Sequence, residues 1–269
     1  MGKANKKQPH KANKRLKKLI AGLTKDPVNL IVFIFAIVLL IFGIIISPRS
    51  WGDAKANLSA ELIGMAITVL VLDRLYAYRD GQREKKRTIL QMASPSNDFA
   101  LQAVRVADDE RWLIDGSLRA SNLSLGNLKG AILWGAKLEG ARLYLTNLEN
   151  ANLRQCQFQN ARLTKANMKN CDLREANLSG AILDDVDLTS ANLEGANLER
   201  ANLSGAILAK ANLKGVNLEN STLLNTNLNG AIIDSKTKLP NRMDIKKNRL
   251  IFQETRFENK KRPTKRVAS

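Results

Sequence analysis

Residues 191–206 read ANLEGANLERANLSGA, with Leu at every fifth position three times running and Ala two places before each. A period of five suits neither regular element. On an α-helix at 3.6 residues per turn, positions five apart drift round the axis and never form one stripe. On a strand the side-chain period is two, so every fifth residue changes face. A strict five therefore calls for a backbone that turns once per repeat, stacked as a solenoid.

The register extends far beyond those sixteen residues. Its central residue falls at 118, 123 and every five thereafter to 233, which makes 24 repeats without an insertion. Twenty-one centres are Leu, the others being Phe158, Met168 and Ile233. The position two before the centre is always small, Ala in fourteen repeats, and the position just before it is Asn or Asp in fourteen. One large and one small apolar residue per repeat can fill a narrow core, whereas two large ones would overfill it. Polar residues at the other positions face water, and Asn and Gly suit a corner in every repeat. Successive coils then stack with parallel β-like hydrogen bonds about 4.8 Å apart. A single coil buries little, so stability comes from neighbouring coils, each buried Leu contributing roughly 1.5–3 kcal/mol before entropy is subtracted.

The run A-N-L-x-x, written here as ANLEG, ANLER, ANLKG and CDLRE, resembles the pentapeptide-repeat proteins over residues 116–235. The resemblance implies a mainly β fold: a right-handed quadrilateral β-helix, one repeat per face, four repeats per coil and six coils for 24 repeats. The stretch AIIDSKTKLP at 231–240 is similar to the way this family ends its coil.

With four repeats per coil, residues 20 apart share a column. Leu125 and Leu145 fall in one column beside Tyr144, and Trp134 also points outward, where the repeat calls for polar groups. Two readings are open: a flanking helix covers these residues, or they form a contact with a partner protein or a second copy. Cys156 and Cys171 occupy small inward positions and read as filler, with no third ligand near for a metal.

Upstream, residues 28–47 (VNLIVFIFAIVLLIFGIIIS) are apolar apart from Asn29 and Ser47. Twenty residues at 1.5 Å rise span about 30 Å, a bilayer's hydrocarbon thickness. Pro27 and Pro48 bound the segment, and no small-x-small site marks it as a cleaved signal. Residues 57–76 (NLSAELIGMAITVLVLDRLY) form a second candidate, with Glu61 and the Asp73-Arg74 pair at its ends and Tyr76 and Tyr78 beyond; an interfacial helix is its alternative. Residues 28–76 are thus expected to be a two-helix transmembrane hairpin.

Charge places its ends. The full chain carries a formal +18. Residues 1–27 hold nine Lys/Arg against one acid, and 236–269 hold twelve against three, whereas 116–235 hold twelve against eleven. Basic residues before the first span (Lys11, Lys14, Arg15, Lys17 and Lys18 among them) and after the second (Lys85, Lys86 and Arg87) put both termini in the cytoplasm, against anionic lipid.

Residues 77–115 read as a helical adaptor. GQREKKRTILQMA is helical in pattern, SPSND breaks it, and a second helix is expected near 98–110. The stretch 89–118 resembles the adaptor of membrane-anchored pentapeptide-repeat proteins. An open coil end exposes core and strand edges, so this segment is expected to cap the first coil, and Leu250, Ile251 and Phe252 the last, ahead of a basic tail.

Residues suited to catalysis are sparse. His10 is the sole histidine, which removes His-based triads and His metal clusters, and no P-loop or dinucleotide fingerprint occurs. Asp184, Asp185 and Asp187 read as a solvated face. The expectation is no enzyme, no cofactor and no metal, but a membrane-anchored scaffold presenting a protein-interaction surface at the cytoplasmic face of a bacterial membrane. Its partners are the lipid bilayer, a protein of unknown identity and, through the same patch, a second copy. Two alternatives are weaker. Nucleic-acid binding by the tails lacks interleaved aromatic residues, and the topoisomerase-binding DNA mimicry that the resemblance brings requires a strongly negative rod, where this one sums to +1.

Overall fold

Each repeat turns its corner with one hydrogen bond, from the N–H of the small residue back to the carbonyl of the preceding central residue, as from Ala131 to Leu128 at 3.0 Å. The residue two after the centre has positive φ at all 23 positions from 120 to 230, which with a negative φ just before it marks a type II turn. Eight of those 23 are Gly, and Leu125 and Leu145 hold the same conformation despite their Cβ atoms. Asn serves the corner in two places, and Asn150, Asn160, Asn170, Asn220 and Asn225 take the positive φ themselves. At the position before the centre, its Oδ1 accepts the N–H two residues ahead, as Asn177 does from Ser179 at 3.1 Å and Asn197 from Glu199 at 3.1 Å.

The structure is a computed structural model that describes residues 53–240 and 248–253, with Ile34, Ile37, Val38 and Ile41. The chain divides into two compact units, Met1–Arg83 and Glu84–Ser269. In the second, parallel bridges join residues 20 apart from Asn122–Arg142 to Asn212–Ile232, so four repeats make one coil. Asn side chains add ladders of their own, Asn167 donating to Asn147 at 3.2 Å and Asn147 to Asn127 at 3.1 Å. Central residues and their small neighbours form one continuous core, Leu118 to Leu218 being buried throughout, with Phe158 and Met168 among them. Where Thr or Cys replaces Ala, the side chain donates to the central carbonyl one coil back, as from Thr146 to Leu123 and from Cys156 to Leu133. Burial pushes the thiols of Cys156 and Cys171 up to about 12, so both stay protonated filler at neutral pH.

Two helices adjoin the first coil. Helix α1 (Asp53–Met92) ends in a short turn and α2 (Asn97–Asp109) follows. Helix α2 buries Ala100, Ala103, Val104 and Ala107, one face at i, i+3, i+4, i+7 spacing, in the same core as Leu118 and Leu123. The cap also supplies backbone acceptors: Asn127 N–H donates to Ser94 O and Lys137 N–H to Leu113 O, both at 2.8 Å. Asn97 Nδ2 donates to the carbonyls of Asn127 and Lys129, each at 3.0 Å.

This close approach explains why Gly126 stands at a position where fourteen repeats carry Ala. A Cβ there would meet Met92 O at 2.8 Å and Ala93 Cα at 3.0 Å, both backbone. Gly126→Ala is expected to destabilise the rod by about 1–3 kcal/mol, the ordinary cost of overpacking, while Ala131→Gly, one repeat on, lacks that clash. Guanidinium unfolding of the two variants followed by circular dichroism separates them.

At the far end the register slips by one: Asn217 bridges Lys238, 21 residues on, where DSKT enlarges the corner. Buried Asp234 organises that corner, its Oδ1 accepting N–H groups of Gly215 at 2.9 Å and Lys236 at 3.1 Å. Burial alone would push its carboxyl up, but these donors and Thr237 outweigh it and hold it below the usual range. Strand β1 (Ile232–Ile233) then pairs in parallel with β2 (Ile251–Phe252), which adds an extra rung. Leu250 packs on the core, whereas Ile251 and Phe252 are exposed.

The membrane segments fare differently. The span at 28–47 lies, but for four residues, outside the described residues, as do both basic tails. Helix α1 is a single element in place of the two helices expected over 57–76 and 81–93. Among the described residues no helix is long and apolar enough to cross a membrane. The reason lies in α1 itself: Glu61 and Asp73 leave eleven residues free of charge, about 16 Å at helical rise, half a bilayer.

Candidate interaction surface

The four faces of the rod differ in how they treat charge. On three of them, cations pair with acids across or along coils: Arg119 with Glu139 at 2.9 Å, Lys129 with Glu149 at 3.0 Å, Arg154 with Glu175 at 3.2 Å, Lys169 with Asp187 at 3.1 Å. The fourth face, built by the repeats centred on 123, 143, 163, 183, 203 and 223, carries Arg142, Arg162, Lys165, Asp184 and Asp185. Among the described residues none of these five takes part in an ion pair. Asp184 accepts only from the Asn202 amide, at 2.6 Å.

The same face holds the apolar residues singled out by column. Leu125, Tyr144 and Leu145 are 61%, 45% and 44% exposed, and Leu125 N–H donates to Tyr144 O at 2.9 Å, so they adjoin. Leu224, 65% exposed, stands at the other end of the face. Trp134 is exposed too but lies on the opposite face of the rod, two repeats round the coil from this cluster. Among the described residues α2 packs on the coil end and these side chains are bare.

A groove of roughly 460 Å³ runs along the face, lined by Ser124, Arg142, Tyr144, Arg162 and Thr164. Arg142 and Arg162 are bridged residues of adjacent coils. Sequence reading missed both, although tabulating the position before each centre at 20-residue spacing puts Arg142 directly over Arg162. Five formal charges, three hydroxyls and an apolar rim make a surface suited to recognition.

Of the bases assigned to a membrane surface, Lys85 is engaged within the protein. Its Nζ lies 2.7 Å from Asp115 Oδ2 and 5.5 Å from the Trp112 ring, and the Asp115 carboxyl, which burial pushes up, is held below its usual range by Lys85 and Ser117. The capping segment takes up the Lys85 charge, which is a correction to the sequence reading. Lys86 and Arg87 remain exposed. Lys11, Lys14, Arg15, Lys17 and Lys18 lie outside the described residues. Among the described residues no group of three His, Cys, Asp or Glu side chains is placed to hold a metal.

Comparison with known proteins meets the repeat geometry. The family model for pentapeptide repeats matches residues 121–156, 141–180, 156–195, 181–220 and 196–234. A pentapeptide repeat protein from the Arabidopsis thaliana thylakoid lumen is 32% identical over 38% of this chain and 70% of its own, with a TM-score of 0.37. The chain belongs to the pentapeptide-repeat family. A second member, from Nostoc PCC 7120, is 30% identical over 44% of this chain and 84% of its own, TM-score 0.21. QnrB1, a plasmid-mediated fluoroquinolone resistance protein, is 15% identical over 52% of this chain and 82% of its own, TM-score 0.22. No curated protein matches. Family membership carries the right-handed β-helix, and the coil of 20 residues is its expression here.

Proposed function

We propose that this pentapeptide-repeat protein is a non-catalytic scaffold, attached to a membrane by its N-terminal segment with both termini cytoplasmic, whose rod displays the Leu125–Tyr144–Leu145 face to a protein partner. The observation that carries this reading is that face: it alone leaves every charge without an ionic partner, and it sets them beside bare apolar side chains. A solenoid surface of this kind binds by shape and charge. Membrane attachment is supported by the twenty-residue apolar run at 28–47. It is supported also by α1, where Met65, Ile67, Val71, Leu72 and Leu75 are exposed around a groove lined by Leu70 and Arg74. Lipid is the simplest cover for such a run. The near-neutral rod argues against nucleic-acid mimicry.

Reporter fusions after residues 52, 90 and 269 test the attachment. Residues 90 and 269 should report inside and 52 outside; all three inside removes the hairpin, and 269 outside removes the cytoplasmic scaffold. Replacing Leu125, Tyr144 and Leu145 by Ser, Asn and Ser should abolish cross-linked adducts of the full chain in membranes, with the circular dichroism spectrum unchanged. Adducts that survive the replacement would remove the face from the reading.

A further inference from the structure

The unpaired charges on this face are not scattered. Cations occupy the half nearer the cap, Arg142 on one coil and Arg162 and Lys165 on the next, and both acids, Asp184 and Asp185, follow on the coil after that. The apolar groups sit at the two ends, Leu125 toward the cap and Leu224 away from it. Such an order has no use for a partner of one charge sign. It is self-complementary under a two-fold rotation.

From this order we propose that two copies of the chain pair through this face, rods antiparallel, with the two-fold axis between the coil of Arg162 and the coil of Ile182. The proposal rests on the reading of this face as an interaction surface and names its occupant. The axis lies in the interface, perpendicular to both rods, so each column meets its own copy in reverse order. Lys165 then faces the second copy's Asp185, and Thr164 its Asp184, with Arg162 alongside. Tyr144 meets Ser204, Leu145 meets Gly205, and Leu125 meets Asn225 beside Leu224. Every contact occurs twice, as a closed isologous interface requires.

The adjacent registers and the parallel arrangement fail on charge. Moving the axis onto the coil of Arg162 sets Arg162 against its own copy, and moving it onto the next coil sets Asp185 against Asp185. Parallel rods related by an axis along their length place Arg162 against Lys165. Like charges placed opposite one another select against each of these arrangements. One face six coils tall is a small interface, so the dimer should be weak, roughly micromolar, and weakened by salt.

The test uses the full chain in detergent micelles. Leu125→Cys and Asn225→Cys variants are prepared separately, mixed, and treated with a short bis-maleimide. Both native thiols are buried and lie up to about 12, so the introduced ones react first. The mixture should give a covalent dimer, while each variant alone should give at least tenfold less, and 1 M salt should suppress the yield. A dimer from Leu125→Cys alone would overturn the antiparallel arrangement. A monomer by sedimentation with no cross-link at any salt would overturn the pairing. In that last case the Leu125/Tyr144/Leu145 replacement tells the two ideas apart: loss of heterologous adducts leaves the interaction surface standing, and no change removes both.

Discussion

Phe158→Ala is expected to destabilise the rod by about 3–5 kcal/mol, the upper range for removal of a core aromatic side chain. Phe158 is fully buried in a column that continues as Leu138 below and Leu178 above. The cavity has little means of collapsing. Leu138 N–H donates to Gln157 O at 2.8 Å and Phe158 N–H to Asn177 O at 2.7 Å, so coil spacing is set by backbone bonds on both sides. Because each coil is stabilised only by its neighbours, the damage spreads along the rod. Phe158→Leu, by contrast, installs the residue found at 21 of 24 centres and should cost under about 1.5 kcal/mol. Guanidinium midpoints of the two variants, read by circular dichroism, decide the matter. A Leu variant as damaged as the Ala variant would show that the centres are not interchangeable.

How far the molecule can be read from its sequence depends on whether a feature repeats. Leu and Ala at fixed spacing state the core 24 times, and the bridges at 20-residue separation follow from that pattern. The corner was less legible. Asn is common and tolerates positive φ, yet the left-handed residue is the one two after the centre, where Lys165, Glu175 and Leu125 adopt it as readily as Gly. There the type II turn and three inter-coil bonds per repeat override local preference. Single events were least visible. Gly126 looks like one more small residue until the backbone of Met92 and Ala93 is set against it. Lys85 looks like a membrane-facing base until Asp115, thirty residues away, comes within 2.7 Å. The candidate surface lies between these cases: its apolar members are visible as exceptions to the repeat. Its unpaired charges are visible only once the pairing on the other three faces is known.

The second large effect concerns the cap. Ala103→Asp should make the rod aggregate, whereas Phe99→Asp on the same helix should not. Ala103 is 2% exposed and belongs to the same buried core as the first coil's Leu118 and Leu123, while Phe99 is 65% exposed. A carboxylate at residue 103 enters an apolar contact with no cation placed to meet it, which costs several kcal/mol, about 3 or more. The helix responds by lifting off. Lifting uncovers the core end and frees the N–H groups of Asn127 and Lys137, which now donate to Ser94 and Leu113. A bare parallel edge is a template for another chain, so the consequence is intermolecular pairing as well as lost stability. Deletion of residues 98–112 should have the same outcome, which makes the effect a property of the cap and not of one buried charge. Light scattering on heating distinguishes the variants. If the deletion leaves both melting and solubility as they were, α2 is an ornament on a coil that closes by itself.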